Sequence, residues 1–254
     1  DDVTITVNGN PTAVIAPDPA EVCAGIDLIM NGTPAGGSGT YTTHAWTGGS
    51  VSPTNTENTT FNNSTPNDYV LTYTVTDDNG CIGTDDVTVT VNGNPTALIA
   101  PDPAIVCAGI DLVMNGNPIG GSGTYTTHLW TGGSVSSTNT ENTTFNNSIP
   151  NDYVLTYTVT DDNGCIGTDD ITITVNPTPT VNVISNQTLC DTDGITVNFT
   201  GTADSYSWTN TGDDVGTPMS GTGNISGTAV NGTALPLVGD YEVTPIGVAP
   251  SLCP

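Results

Sequence analysis

The sequence predicts an all-β chain, a linear array of small β-sandwich domains. Three observations carry that reading. Residues Asn10 to Gly93 recur as Asn94 to Pro177 at a period of 84 residues, with only 11 of the 84 positions different. A period of that length is too long for a helical solenoid repeat and long enough for a unit with its own core. Strand signals recur at short spacing and helix signals are absent. Each unit also places a Trp on its third strand: Trp46, Trp130 and, in a divergent third unit, Trp208. Several of the differences between the first two units exchange one apolar residue for another (Val14/Leu98, Ile29/Val113, Val87/Ile171, Val89/Ile173), as a core of fixed volume tolerates.

In the first unit Thr12–Ala16 reads as strand A, followed by a Pro17-Asp18-Pro19 turn and then Cys23-Ala24-Gly25. Ile26–Asn31 reads as strand B and Pro34–Gly39 as a loop. Tyr41–Thr47 alternates as strand C, and Thr54–Phe61 holds weaker middle strands. Tyr69–Thr76 is strand F, with Leu71, Tyr73 and Val75 on one face. Asp77-Asp78-Asn79-Gly80 is a tight hairpin turn, because Asn-Gly accepts positive φ at little cost. Thr84–Val91 is strand G, with Val87, Val89 and Val91 on one face. Seven short strands with Trp on the third fit a sandwich of immunoglobulin type.

The predicted division is residues 10–93, 94–177 and 178–254 as three sandwich units, with residues 1–9 as the terminal strand of a further one. Asp1–Gly9 copies Asp85–Gly93, the last strand of a unit, so the chain is expected to begin inside one sandwich and to belong to something longer. In the third unit Val181–Ile184 matches A, Cys190 matches Cys23, Ile195–Thr200 matches B, Tyr206–Trp208 matches C and Tyr241–Pro245 matches F. Cys253 lies near the position of Cys81, and no strand G follows it. The edge left open is filled either by a continuing chain, the reading the repeat register favours, or by Asp1–Asn8 of a neighbouring copy.

The 254 residues contain no Lys, no Arg and 26 Asp plus Glu, a formal charge of −26. Such a chain has no footprint for nucleic acid and no attraction to an anionic membrane. Its carboxylates must be dispersed, screened or neutralised by cations. Six Cys fall two to a unit without a CxxC pair, and the two His complete no zinc pattern. Structural disulfides in an oxidising, extracellular compartment follow. No run of about 18 apolar residues suggests a membrane span.

The segments His44-Ala45-Trp46-Thr47-Gly48-Gly49 and Tyr69-Val70-Leu71-Thr72-Tyr73-Thr74-Val75-Thr76-Asp77-Asp78-Asn79-Gly80-Cys81, followed by Asp85–Val91, resemble PKD and PKD-like domains. More narrowly they resemble the tandem Ig/PKD-like repeats of very large surface adhesins of Bacteroidetes, including gliding-motility adhesins. Gln187–Cys190, Tyr206–Asn210 and Ser220–Ile225 resemble a sister PKD-like type. The PKD signature Gly-Asp-Gly after the Trp is replaced here by Gly48-Gly49-Ser50, so no site tied to that Asp carries over. The resemblance implies a secreted, cell-surface, mechanical or adhesive protein exported through the type IX system.

Two cysteine pairings are open. Within units the pairs would be Cys23–Cys81, Cys107–Cys165 and Cys190–Cys253. In an immunoglobulin-type sandwich, however, Cys23 precedes strand B at one pole and Cys81 follows the F–G turn at the other. A strand of about seven residues separates them by roughly 20–25 Å, and a disulfide needs Cα atoms within about 7 Å. The short linker Gly93-Asn94-Pro95 should press the lower pole of one unit on the upper pole of the next. Geometry therefore favours Cys23–Cys165 and Cys107–Cys253, with Cys81 and Cys190 pairing with units outside the chain.

Oxygen-rich turns are the candidate cation ligands: Asp77, Asp78, Asn79 and their repeats Asp161, Asp162, Asn163, with Asp18 and Asp102 from the neighbouring A–B region. Ca²⁺ is the cofactor such hard ligands would take, although the pattern lacks the later ligands of an EF-hand; a plain hairpin turn is the competing reading. His44 and His128, two residues before Trp, read as structural. The Trp residues read as core, with a carbohydrate platform as the alternative if they are exposed. No nucleophile elbow, Ser/His/Asp order or phosphate loop occurs, so no catalytic residue is assigned and the chain is read as not an enzyme. The function expected is a stalk or filament segment of a secreted adhesin, with neighbouring identical or homologous domains as partners. The alternative is a carbohydrate-binding accessory module that engages surface glycans.

Overall fold

The computed structural model describes residues 1–247 and Cys253. Among the described residues the regular structure is entirely β, in three successive sandwiches. The first unit runs β1 (Pro11–Thr12), β2 (Ile15–Ala16), β3 (Ala20–Cys23), β4 (Leu28–Gly32), β5 (Ala35–Gly36), β6 (Tyr41–Thr47), β7 (Val51–Ser52), β8 (Asn58–Phe61), β9 (Asn67–Asp77) and β10 (Ile82–Asn92). One sheet has the order β2-β4-β8-β7, and the facing sheet has β3-β10-β9-β6.

The hairpin β9–β10 is the backbone of the unit. Its strands pair antiparallel from Ile82↔Thr76 to Val91↔Asn67. Alternation puts Leu71, Tyr73, Val75, Val87, Val89 and Val91 inward, all buried. They meet Met30 and Phe61 from the other sheet and Trp46 from β6. The Trp46 ring packs 4.8 Å from that of Tyr73, and its indole N–H donates to Thr56 O at 3.0 Å. Gly80, at φ +78°, closes the hairpin in a conformation that favours glycine.

The first strand departs from the sequence reading. Thr12–Ala16 was expected as one strand A; it is instead split, with β1 on β5 and β2 on β4. The expected turn ends in a strand of its own. Pro17 and Pro19 have no N–H for a ladder, and across them the chain leaves one sheet for the other. There β3 runs parallel to β10, with Ala20 opposite Val89 and Cys23 opposite Asn92. Strand B is one residue longer at its end and two shorter at its start than expected, because Ala24-Gly25 form the turn out of β3, Ile26 N closes it on Cys23 O at 3.1 Å, and the ladder begins only at Leu28. The chain crosses strand β10 at Gly83, where a Cβ would stand 2.2 Å from the Pro11 carbonyl; only glycine admits that approach.

The second unit repeats this design: β11 (Pro95–Thr96), β12 (Ile99–Ala100), β13 (Ala104–Cys107), β14 (Leu112–Gly116), β15 (Ile119–Gly120), β16 (Tyr125–Thr131), β17 (Asn142–Phe145), β18 (Asn151–Asp161) and β19 (Ile166–Asn176). Its parallel pair sets Cys107 opposite Asn176. The third unit is sparser: β20 (Gly194–Val197), β21 (Ser205–Asn210), β22 (Ser220–Thr222), β23 (Ile225–Thr228) and β24 (Tyr241–Ile246). Val181–Ile184, expected as its strand A, makes only an isolated bridge from Val181 to Gly201. Asp1–Gly9, expected as a terminal strand, forms none.

Leu71 is fully buried between the sheets while its neighbour Val70 points outward. Leu71→Ala should therefore cost about 2–5 kcal/mol of unfolding free energy, and Val70→Thr should stay within about 0.5 kcal/mol. Urea unfolding of the two variants checks the inward and outward assignment.

Candidate functional site at the junctions between units

The candidate site is the contact between one sandwich and the next. At the lower pole of unit one, β3 and β10 end side by side, and Ala24 N donates to Asn92 O at 2.8 Å. Cys23 is thus fixed beside the point where the chain leaves the unit. Only Gly93 and Asn94 intervene before Pro95 begins the next unit. The Asn94 side-chain amide reaches back and donates to Ala24 O at 3.1 Å.

At the upper pole of unit two, the turn between β18 and β19 presents Cys165. Buried Asp161 builds that turn. Its Oδ1 accepts from Asn163 N at 3.1 Å and from Cys165 N at 2.8 Å, and its Oδ2 accepts from Ser122 N at 3.0 Å. Asp161 N in turn donates to Cys165 O at 3.0 Å. The same set recurs on Asp77 in unit one, from Ser38, Asn79 and Cys81. Three backbone N–H groups on one carboxylate satisfy its charge where no Lys or Arg exists to do so.

The structure brings Cys23 and Cys165 together as a disulfide, Cα to Cα 5.5 Å, and likewise Cys107 and Cys253, 5.6 Å. Cys81 and Cys190 carry free thiols. Pairing within a unit is blocked by β10 itself. Cys23 lies at its Asn92 end, and Cys81 immediately precedes Ile82 at the other. Its 11 residues span about 35 Å, more than the roughly 20–25 Å expected of a seven-residue strand. The bridges close spans of 142 and 146 residues, each worth about 5 kcal/mol in the chain-entropy account.

The candidate cation ligands are arranged otherwise. The Asp77 and Asp161 carboxylates are taken by backbone donors, while Asp78, Asn79, Asp162, Asn163, Asp18 and Asp102 are exposed. Asp102 borders a shallow hollow with Asp169 and Asp170. Among the described residues no group of three or more His, Cys, Asp or Glu is placed to hold a metal ion. Asp85 and Asp169 have a role the sequence did not signal: each accepts the N–H of Ile15 or Ile99, at 2.8 and 2.9 Å, and so ties the first strand to the last.

Trp46, Trp130 and Trp208 lie in the cores, as the sequence reading places them, and fill the space between sheets, so the exposed rings that a carbohydrate platform needs are not there. His44 Nδ1 shares a 2.6 Å hydrogen bond with the Tyr73 hydroxyl, and His128 does the same with Tyr157. Burial first, then the charge of Glu57 and the neighbouring Tyr41, pushes Tyr73 up to about 12. Tyr157 rises equally, by burial and then Glu141 and Tyr125.

Residues 25–91 match the family model described as "K319L-like, PKD domain". No curated protein sequence matches the chain. Among solved structures, the three N-terminal domains of the bacteriophage RB49 highly immunogenic outer capsid protein are 14% identical, with 87% of each chain covered and a TM-score of 0.41. The N-terminal eight Ig domains of Down syndrome cell adhesion molecule are 13% identical, covering 94% of this chain and 42% of that one, at 0.41. The insect immune protein hemolin is 15% identical, covering 62% and 44%, at 0.33. The match in unit one, its repetition in unit two and the observed sheets make the chain a tandem of PKD/Ig-like sandwiches.

Two outcomes follow. Cys23→Ser should lower unfolding free energy by about 2–5 kcal/mol in urea melts, the upper end being the full chain-entropy value. Raised tyrosines bind their protons more tightly folded than unfolded, so their contribution is complete below pH 10 and is lost as pH rises toward 12. Stability should fall over that window, and Tyr73→Phe with Tyr157→Phe should flatten the slope in pH-dependent denaturation.

Proposed function

We propose that this chain is a rod segment: a mechanical spacer within the stalk of a large secreted surface adhesin, serving adhesion or gliding. Export by the type IX system and a bacterial surface of the Bacteroidetes kind belong to the same reading. The observation that carries it is the pair of disulfides that cross successive junctions, the first of them beside a two-residue linker. A flexible string of binding modules would need long linkers and no covalent junctions. A rod that bears load needs the opposite.

The disulfides also define a load path. Tension entering unit two at Cys165 leaves at Cys107, and the strands and linkers outside that span are bypassed. The two Cys are 58 residues apart within an 84-residue period. The dense negative charge, with no compensating cation, keeps neighbouring rods apart and extended at low salt. The absence of Lys and Arg removes every trypsin-type cleavage site.

Single-molecule stretching tests the proposal. With disulfides intact, unfolding of unit two should release only the 58-residue span, about 170 Å beyond its folded length; after reduction it should release the full repeat, about 250 Å. Equal increments before and after reduction would overturn the load path. Negative-stain images should show rods with about 40 Å per unit; compact globules would contradict the spacer reading.

A further inference from the structure

Three features that the junctions described above do not use fit one another. The first is Asp1–Asn8, a near copy of Asp85–Asn92. Where Val87, Val89 and Val91 are buried, the corresponding Val3, Ile5 and Val7 are 87%, 81% and 88% exposed. The second is the third unit. Among the described residues β24 pairs with β21 on one side and with no strand on the other. Beside that free edge a groove of about 730 Å³ opens between the sheets, lined by Gln187, Leu189, Leu237, Gly239, Tyr241 and Val243 among others. The third is the pair of free thiols, exposed Cys190 and half-buried Cys81.

The repeat fixes how they would combine. Gly247 N donates to Cys253 O at 2.9 Å, as Asp77 N does to Cys81 O at 3.0 Å. Val243 faces Trp208 as Tyr73 faces Trp46. Val243 is therefore the counterpart of Tyr73, Tyr241 of Leu71, Gly239 of Tyr69 and Leu237 of Asn67. Laid in the register of β10 on β9, Asp1 falls opposite Val243, Val3 opposite Tyr241, Ile5 opposite Gly239 and Val7 opposite Leu237. On the other side, the parallel register of β10 with β3 sets Ile5 beside Gln187, Val7 beside Leu189 and Asn8 beside Cys190. All seven of these partners line the groove.

We propose that Asp1–Asn8 of a second copy of this chain inserts into that groove as the last strand of the third unit, joining copies head to tail. Gly9-Asn10-Pro11 then repeats the linker Gly93-Asn94-Pro95, and the first unit of the second copy stacks on the third unit of the first. In that stacking Cys81 takes the place that Cys165 takes against Cys23, facing Cys190. Thiol–disulfide exchange with oxidised glutathione closes the bond: two cysteine thiols lose two electrons and two protons, and glutathione disulfide becomes two thiols. The junction holds whatever surface the rod serves.

The test uses the full chain at about physiological salt, where charge repulsion between copies is screened beyond about 8 Å. Sedimentation over a concentration series should show open-ended multimers. Oxidised glutathione should convert them to a ladder on non-reducing gels, with a Cys81–Cys190 linked peptide after cleavage at Asp. Replacing Val3, Ile5 and Val7 together by Asp should weaken association by on the order of 100-fold or more. The melting of the three units should be unchanged, because those side chains are exposed in the single copy. A chain that stays monomeric, or multimers indifferent to the triple substitution, would overturn the proposal. Bridges of Cys81 to Cys81 or Cys190 to Cys190, or association without a Cys81–Cys190 peptide, would overturn its register. A monomer that still gives the 58-residue stretching increment would leave the rod reading standing and remove only the junction between copies.

Discussion

The two cysteines of each repeat stand at opposite ends of one 11-residue strand. That separation, about 35 Å, forbids a bond between them and leaves each to a neighbouring unit. The rest of the design serves the arrangement. The first strand changes sheets across Pro17 and Pro19 so that β3 can run parallel to β10 and deliver Cys23 to the exit pole. The buried Asp77 and Asp161 knit the opposite turn and hold Cys81 and Cys165 in place. A two-residue linker brings the poles together.

Charge shapes the same design from another side. A chain without Lys or Arg cannot form ordinary salt bridges, so its inward carboxylates must take backbone or side-chain donors. Asp77, Asp85, Asp161 and Asp169 each do so. Among the candidate cation ligands, Asp77 and Asp161 serve as internal scaffolding, while the other six are exposed. The outward carboxylates leave the surface strongly negative, and the cores are carried by apolar burial and the Trp–Tyr pairs.

Much of this was legible in the sequence because the repeat supplied two readings of each feature. The alternation in Leu71–Val75 and Val87–Val91 marks the inward faces of β9 and β10 directly. Trp46 was recognisable as core from its place on the third strand. The strand β3 was hidden because its two prolines signal a turn and its pairing is parallel to a segment about 70 residues away. The roles of Asp77 and Asp85 were hidden for a related reason. A carboxylate in a turn or at a strand start looks solvated until the fold brings the N–H groups of Ser38 and Ile15 to it. The third unit was harder throughout, since its strand A is reduced to one bridge and its core is thinner without a counterpart of the Val87–Val91 face among the described residues.

Covalent bonds cross the junctions rather than the interiors of the sandwiches. Peptide mapping under non-reducing conditions tests it most directly, with cleavage at Asp because the chain offers no basic sites. Linked peptides containing Cys23 with Cys165 and Cys107 with Cys253 are expected. A linked Cys23–Cys81 or Cys107–Cys165 peptide would contradict it.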